Sequence, residues 1–411
     1  MIAEKLERRR TEQMKEIRIG KFTISRDLLL FLIASALLGV TSAVESSSFA
    51  NRLAEDLQFT VTQRTLLEIP RELPGLLVVF VIGALAFLGD VRTAAIANIL
   101  GGVGLFVFGM VPSGYWPVVI TMMVFSMGQH LYMPIQGAIS MSFARDGNIG
   151  RRLGEIQSVN TAALILTAAV LYFLYRFVKI PFVVSFTIGA IAMVLAGIVF
   201  LFMSPRKSEV RKQRFVFHKK FSLFYVLSII YGARKQITYT LTPWLLITVY
   251  NQPASTMTML FFFVAVVNVF LRPWLGRMID HKGERFALVL EASLLLFACF
   301  GFAFARVLFA PDVALIVVSS CYVIDHIIAG AGMARTTYVR RLTDDPTEVS
   351  ATLSLGISLD HAIAMSMPAF AGMLWARDPG SGYVYVFIGG IGISIINLIL
   401  SNRIRLPAPQ K

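Results

Sequence analysis

The sequence predicts an all-α membrane protein of twelve transmembrane helices, arranged as two pseudo-symmetric six-helix bundles. Composition is the first ground. Of 411 residues, 56% are hydrophobic and 15% charged, whereas about a quarter of a soluble globular chain is charged. Spacing is the second. Apolar runs recur about every 25–35 residues and most exceed 18, enough to cross a ~30 Å hydrocarbon core at 1.5 Å per helical residue. The third is the placement of lysine and arginine. With the N-terminus inside, 27 of the 38 basic residues fall on inner segments and 6 on outer ones, as the positive-inside rule requires.

Residues 1–26 are polar and basic, with Arg8, Arg9 and Arg10, and contain no cleavable signal pattern. Spans are expected at about 27–50, 65–88, 93–112, 115–143, 155–176 and 180–203, forming an N-terminal bundle over 27–203. A basic linker, 204–220, separates them from six more at about 221–250, 255–275, 286–305, 312–338, 350–376 and 382–401. These make a C-terminal bundle over 221–401, followed by a cytoplasmic tail, 402–411. Both termini are expected in the cytoplasm of a bacterial plasma (inner) membrane.

The halves match one another weakly but in register. Leu38-Gly39 aligns with Tyr231-Gly232, Gly83 with Gly276, and Gln129-His130 with Asp325-His326, all at nearly one offset. A near-constant offset is the mark of a duplicated unit. Cys299 and Cys321 lie in apolar runs without metal-ligand spacing and read as small core residues. A net charge of +14 would point a soluble chain toward nucleic acid. Here that charge lines the inner membrane face, and no nucleic-acid partner is expected. Tyr115, Trp116, Trp244 and Trp375 sit near outer span ends and read as interfacial anchors.

Between the eighth and ninth spans runs Gly276-Arg277-Met278-Ile279-Asp280-His281-Lys282-Gly283-Glu284-Arg285. This segment resembles the cytoplasmic loop signature of the major facilitator superfamily: Gly, three residues, Asp, two residues, Gly, then basic character. The resemblance implies that Gly276, Asp280, Gly283 and Arg285 form a gating loop at the inner face. The corresponding first-half loop keeps Gly83 and Asp90-Val91-Arg92 at a different spacing. Gly-Pro motifs typical of drug/proton antiporters are absent from 156–175, which argues against multidrug efflux.

Ionisable groups inside spans are functional candidates by default, because insertion scales charge each mid-membrane Arg or Lys about 2.5–3.5 kcal/mol. Arg234 and Lys235 stand at the centre of the seventh span. Their expected role is to attract an anionic or zwitterionic organic solute, with Tyr239, Gln129 and His130 as polar lining. Asp325, His326 and Glu45 are the expected proton-coupling groups, with Asp360 and His361 as a second pair. In the second span, Glu68, Arg71 and Glu72 stand as gate or as structure, and Glu68 and Arg71 share a helical face and can pair. Arg272 and Arg335 lie near inner span ends and are expected to snorkel.

The function that follows is secondary active transport of a small-molecule solute by alternating access, with protons as coupling ion, by a monomer in the lipid bilayer. Three other readings stand beside it. The Asp-His pairs could bind a divalent metal in transit, although adjacent helical residues diverge by about 100°. The charges could serve only to assemble the bundle. The fold could also serve as a non-transporting sensor or scaffold. No nucleophile–base pair, His-rich box or phosphate loop points to an enzyme, and no cofactor or resident metal is expected.

Overall fold

The computed structural model describes residues 16–19, 22–85, 87–144, 149–205, 217–343 and 345–404. Most of the expected basic leader (1–26), linker (204–220) and tail (402–411) therefore lies outside the described residues. The chain enters through a short antiparallel hairpin that the sequence reading did not anticipate. β1 (Glu16–Ile19) pairs with β2 (Phe22–Ser25), with Ile17 opposite Ile24 and Arg18 opposite Thr23. Ile17 and Ile19, then Phe22 and Ile24, alternate with polar residues at the period of two that a strand requires.

Helices follow in an order that reproduces the twelve expected crossings. They are α1 (Arg26–Asn51), a short α2 (Val61–Leu66) leading into α3 (Glu68–Leu85), α4 (Asp90–Met110), α5 (Tyr115–Ser142), α6 (Ile149–Phe173) and α7 (Phe182–Leu201). Then come α8 (Ser222–Thr248), α9 (Ala254–Leu308), α10 (Pro311–Ile328), α11 (Met333–Leu342), α12 (Pro346–Ala376) and α13 (Gly382–Asn402). α9 contains two crossings. Gly283, at φ 83° and ψ 167°, breaks it within the proposed gating loop. α10 and α11 make one crossing, joined by the 3-10 turn Ala329–Gly332.

Among the described residues, nine helices are long and apolar enough to span a membrane by themselves, α9 counting once. α3 and α8 fall short of that apolarity. They carry Glu68, Arg71 and Glu72, and Arg234, Lys235 and Gln236. Both crossings are thus set apart by charge at their centre or mouth. Prolines inside α3, α5, α8, α9 and α12 are tolerated because neighbouring helices re-satisfy the backbone groups they free.

The chain divides into two compact units. One comprises Met1–Phe49 and Leu73–Val210, the other Ala50–Glu72 and Arg211–Lys411. In the first, α4 packs against α5 and α7. α1 is tied to α7 by Thr41 Oγ1 donating to the Gly189 carbonyl at 2.9 Å, and to α6 by Asn160 Nδ2 donating to the Ser35 carbonyl at 2.8 Å. Phe108 and Phe186 meet edge to face, their ring centres 4.9 Å apart.

In the second unit, α8 packs on α12 and α13, and α9 on α10 and α13. Phe221, Leu275, Ala287, Leu295, Ala331 and Val339 form its fully buried apolar core. α2, fixed by a capping box between Thr60 and Gln63, packs against α12. Trp116 is largely exposed, as an interfacial anchor would be, whereas Trp244 and Trp375 are buried. Trp375 packs against the Tyr383 ring, so core packing has claimed a residue expected at the interface.

Candidate functional site

The 3.6-residue turn of α8 sets Tyr231, Arg234 and Lys235 within one turn of each other. The Arg234 guanidinium carbon and the Lys235 ammonium lie 5.5 and 5.6 Å from the centre of the Tyr231 ring. A third cation, Arg335 of α11, is closer, with its guanidinium carbon 3.6 Å from the same ring centre. The electron-rich face of one tyrosine therefore gathers three positive side chains.

Each cation has one acid. Arg234 Nη1 donates to Asp325 Oδ1 of α10 at 2.8 Å, and Lys235 Nζ to Asp360 Oδ2 of α12 at 2.7 Å. Arg335 Nη1 donates to Glu291 Oε2 of α9 at 2.9 Å. Five helices converge on this network, which is electrically balanced. That answers the cost of placing cations in α8, because a buried charge persists only when it is paired and hydrogen-bonded.

The three pairs differ in enclosure. The side chains of Arg234 and Asp325 are 1% and 0% exposed, and those of Arg335 and Glu291 9% and 0%. Lys235 and Asp360 are 23% and 19% exposed. Several polar atoms of the network have no hydrogen-bond partner, including Arg234 Nε and Nη2, Asp325 Oδ2 and Asp360 Oδ1.

Glu72, the last α3 residue within this unit, adds a further layer. Its Oε1 accepts from Gln236 Nε2 at 3.2 Å, and its Oε2 lies 2.9 Å from His361 Nδ1. One turn away Glu68 is fully buried, bound by Arg64 at 2.5 Å and by Arg71 at 3.1 Å. The pairing expected of Glu68 and Arg71 is present, with Arg64 as an additional partner.

The intramembrane histidines are held through Nδ1. His326 Nδ1 lies 2.9 Å from the Tyr322 carbonyl, and His130 Nδ1 lies 3.0 Å from the Ser126 carbonyl. A carbonyl only accepts, so the His326 contact needs the hydrogen on Nδ1, whereas His130 Nδ1 lies equally close, at 3.0 Å, to the Ser126 hydroxyl. The His326 ring stacks on Tyr322 at 4.0 Å and meets Tyr239 at 4.8 Å, which places Tyr239 beside the Arg234–Asp325 pair. Neither Asp-His dipeptide acts as a joint ligand pair. Asp325 turns to Arg234 while His326 turns to a carbonyl, and Asp360 turns to Lys235 while His361 turns to Glu72. Their divergence is the ~100° step between neighbouring helical residues.

The structure thus brings together Arg234, Lys235, Tyr239, Asp325, His326, Asp360 and His361 in one unit. Gln129, His130 and Glu45 belong to the other, where Glu45 Oε2 accepts from Ser46 Oγ at 3.4 Å. In the loop signature, Gly283 occupies a backbone conformation that only glycine adopts without strain, and Arg285 Nη2 donates to Asn402 Oδ1 at 3.2 Å. Asp280 is exposed, and Gly276 has open space where a side chain would stand. The buried acid of this segment is Glu284, whose Oε1 pairs with Arg341 Nε at 2.6 Å.

Sequence reasoning passed over Tyr231 and Glu291 as members of the site, took Arg335 as structural, and left Glu72 as gate or structure. Arg335 was expected to snorkel to the inner surface, yet it is buried against Tyr231 and Glu291. Glu291 lies inside the expected span 286–305, so the rule that flags intramembrane carboxylates applied to it as well.

A family profile described as Major Facilitator Superfamily matches residues 29–359. Comparison with curated proteins finds no sequence match. Among solved structures, the fold is similar to the nucleoside transporter NupG, with TM-score 0.71 and 14% identity over 92% of this chain and 98% of that one. It is also similar to a bacterial homologue of the human lysosomal transporter Spinster in an inward-facing, occupied conformation (TM-score 0.67, 14% identity, 91% and 94% covered). A D-xylose–proton symporter gives TM-score 0.65 and 13% identity, with 90% and 96% covered. At such identities the likeness is one of fold, while the profile speaks for descent. The chain is an integral, multi-pass membrane protein of the Major Facilitator Superfamily, built on that superfamily's transporter fold.

Proposed function

We propose that this protein is a secondary active transporter that moves a small anionic or zwitterionic organic solute by alternating access, coupled to protons. The observation that carries the reading is the Lys235–Asp360 pair, a partly exposed ion pair at the middle of a membrane helix and beside a sealed one. Charge that faced lipid there would carry the full insertion cost, so an exposed pair implies a wet path to it. Gln129, His130 and Tyr239 are the proposed polar lining. Asp325, His326, Glu45, Asp360 and His361 are the proposed proton carriers, and the loop with Gly276, Asp280, Gly283 and Arg285 is the proposed inner gate. A solved D-xylose–proton symporter of this fold supports proton coupling. The distribution of basic residues supports a cytoplasmic location for both termini, and a bacterial plasma membrane is the proposed site.

Thermal-shift screening against organic anions, amino acids, sugars and divalent metals identifies the solute, because a ligand of the folded state raises its stability. The purified protein in liposomes should then move protons when that solute is applied. Arg234→Gln/Lys235→Gln should abolish the movement, and Lys235→Gln alone, which keeps the enclosed Arg234–Asp325 pair, should do so in a protein that still folds. Transport at the unaltered rate by that double variant would remove the charged site from the mechanism.

A further inference from the structure

The charges around α8 divide into those a solute can reach and those it cannot. Arg234 and Asp325 are enclosed, and Thr238, one turn further along α8, is 1% exposed. Arg335, whose guanidinium carbon lies 3.6 Å from the Tyr231 ring centre, and Glu291 are enclosed as well. Lys235 and Asp360 are open to about a fifth of their surface.

The open pair also has a constraint on what can enter it. An anion that displaced Asp360 from Lys235 would strand the carboxylate, and a cation would strand the lysine. Losing one partner of a poorly solvated pair is the costly event, more than exchanging both. A solute with both charges replaces both partners together. Asp360 meets Lys235 through Oδ2, while its Oδ1 is enclosed against Gly232, so a solute cation must take the Lys235 place at Oδ2.

We propose that the solute is zwitterionic, its anion bound by Lys235 and its cation by Asp360. Arg234–Asp325 and Arg335–Glu291, joined through Tyr231, form an enclosed frame that positions this pair and does not touch the solute. The assignment rests on the transporter reading above and narrows its substrate class.

The test is cysteine labelling in membrane vesicles with two small methanethiosulfonates, one bearing a sulfonate and one a trimethylammonium. The unaltered chain, whose Cys299 and Cys321 are both buried, gives the background rate. Lys235→Cys leaves Asp360 in place and should react faster with the trimethylammonium reagent. Asp360→Cys leaves Lys235 and should react faster with the sulfonate. A preference of about fivefold either way is the effect of one unit charge at contact distance in water. The ratio of the two rates cancels differences in thiol reactivity.

Arg234→Cys should label at background. Thr238→Cys probes the same enclosed layer without removing a charge, so the test survives if the arginine variant does not fold. If both open positions prefer the same reagent, the solute carries one sign of charge and the zwitterion assignment falls, while the transport reading stands. Labelling of Thr238→Cys as fast as Lys235→Cys would remove the enclosed frame. No labelling above background at any of the four positions would remove the wet path, and the transport reading with it.

Discussion

Gly232 on α8 lies directly against Asp360 on α12: a Cβ at Gly232 would come within 2.5 Å of Asp360 Oδ1 and 3.0 Å of its carbonyl oxygen. This close crossing lets Asp360 reach Lys235 at 2.7 Å. Part of what a new methyl would meet is backbone, which cannot swing aside. Gly232→Ala should therefore push α12 away, lengthen the Lys235–Asp360 contact and cost about 1–3 kcal/mol, as overpacking does. The thermal midpoint of the purified protein should fall and transport should fail with it. An unchanged midpoint would mean that the helices do not approach this closely.

The enclosed pair should behave as a unit. Arg234→Gln or Asp325→Asn alone leaves a buried charge without its partner and should destabilise the protein by about 3–5 kcal/mol. Combining the two should cost clearly less than their sum. A double-variant cycle measured by unfolding in detergent reads the coupling, and simple additivity would show that the pair does not form.

The open pair should affect stability less and function more. Asp360→Asn removes one charge from a pair that is only partly enclosed, so its cost should fall below the about 3–5 kcal/mol expected of the enclosed pair. Solute-driven uptake into liposomes should nevertheless be lost. A variant that is badly destabilised, or that transports normally, would count against the division between open and enclosed charges.

The two glycines of the loop signature should respond differently. At φ 83° and ψ 167°, Gly283 occupies a region nearly exclusive to glycine, so Gly283→Ala should cost about 1–3 kcal/mol. Gly276 is helical with nothing within 4 Å of an added Cβ, so Gly276→Ala should leave stability unchanged or slightly improved. Comparing the two melting curves checks both expectations.

At the start of α12, outside the apolar span, Glu348 is held by Lys220 and by the Thr343 hydroxyl at 2.6 Å. The Lys220 contact first, and Thr343 second, keep its carboxyl below the ordinary glutamate range. A depressed folded pKa means that its contribution is complete above the ordinary value and lost as pH falls through the depressed one. Acidification should therefore lower the thermal midpoint less for Glu348→Gln than for the unaltered chain. Identical acid profiles would exclude the contact as a source of stability.

The twelve crossings were legible because two independent signals agreed. α3 and α8 carry charges that interrupt their apolar runs, yet the inside–outside distribution of Lys and Arg requires both. That α8 needed counter-charges was also legible, but not which ones. Asp325 and Asp360 lie 91 and 125 residues from their partners, and only packing decides between them. Arg335 was misjudged for a local reason. The 3-10 turn Ala329–Gly332 resets the helical phase before α11, so distance from the span end said nothing about which way the side chain faced. The hairpin Glu16–Ser25 escaped notice because its four-residue strands are embedded in a basic segment whose charge dominated the reading.

The one-to-one matching of acids and bases around Tyr231 has an electrical consequence. The network carries no formal charge, so cargo that is itself neutral overall leaves it neutral whether loaded or empty. Moving a single elementary charge through a 100 mV membrane potential is worth about 2.3 kcal/mol, and cargo of this kind would feel none of it. Any voltage sensitivity in the transport current would then count protons, and its slope would give their number per cycle.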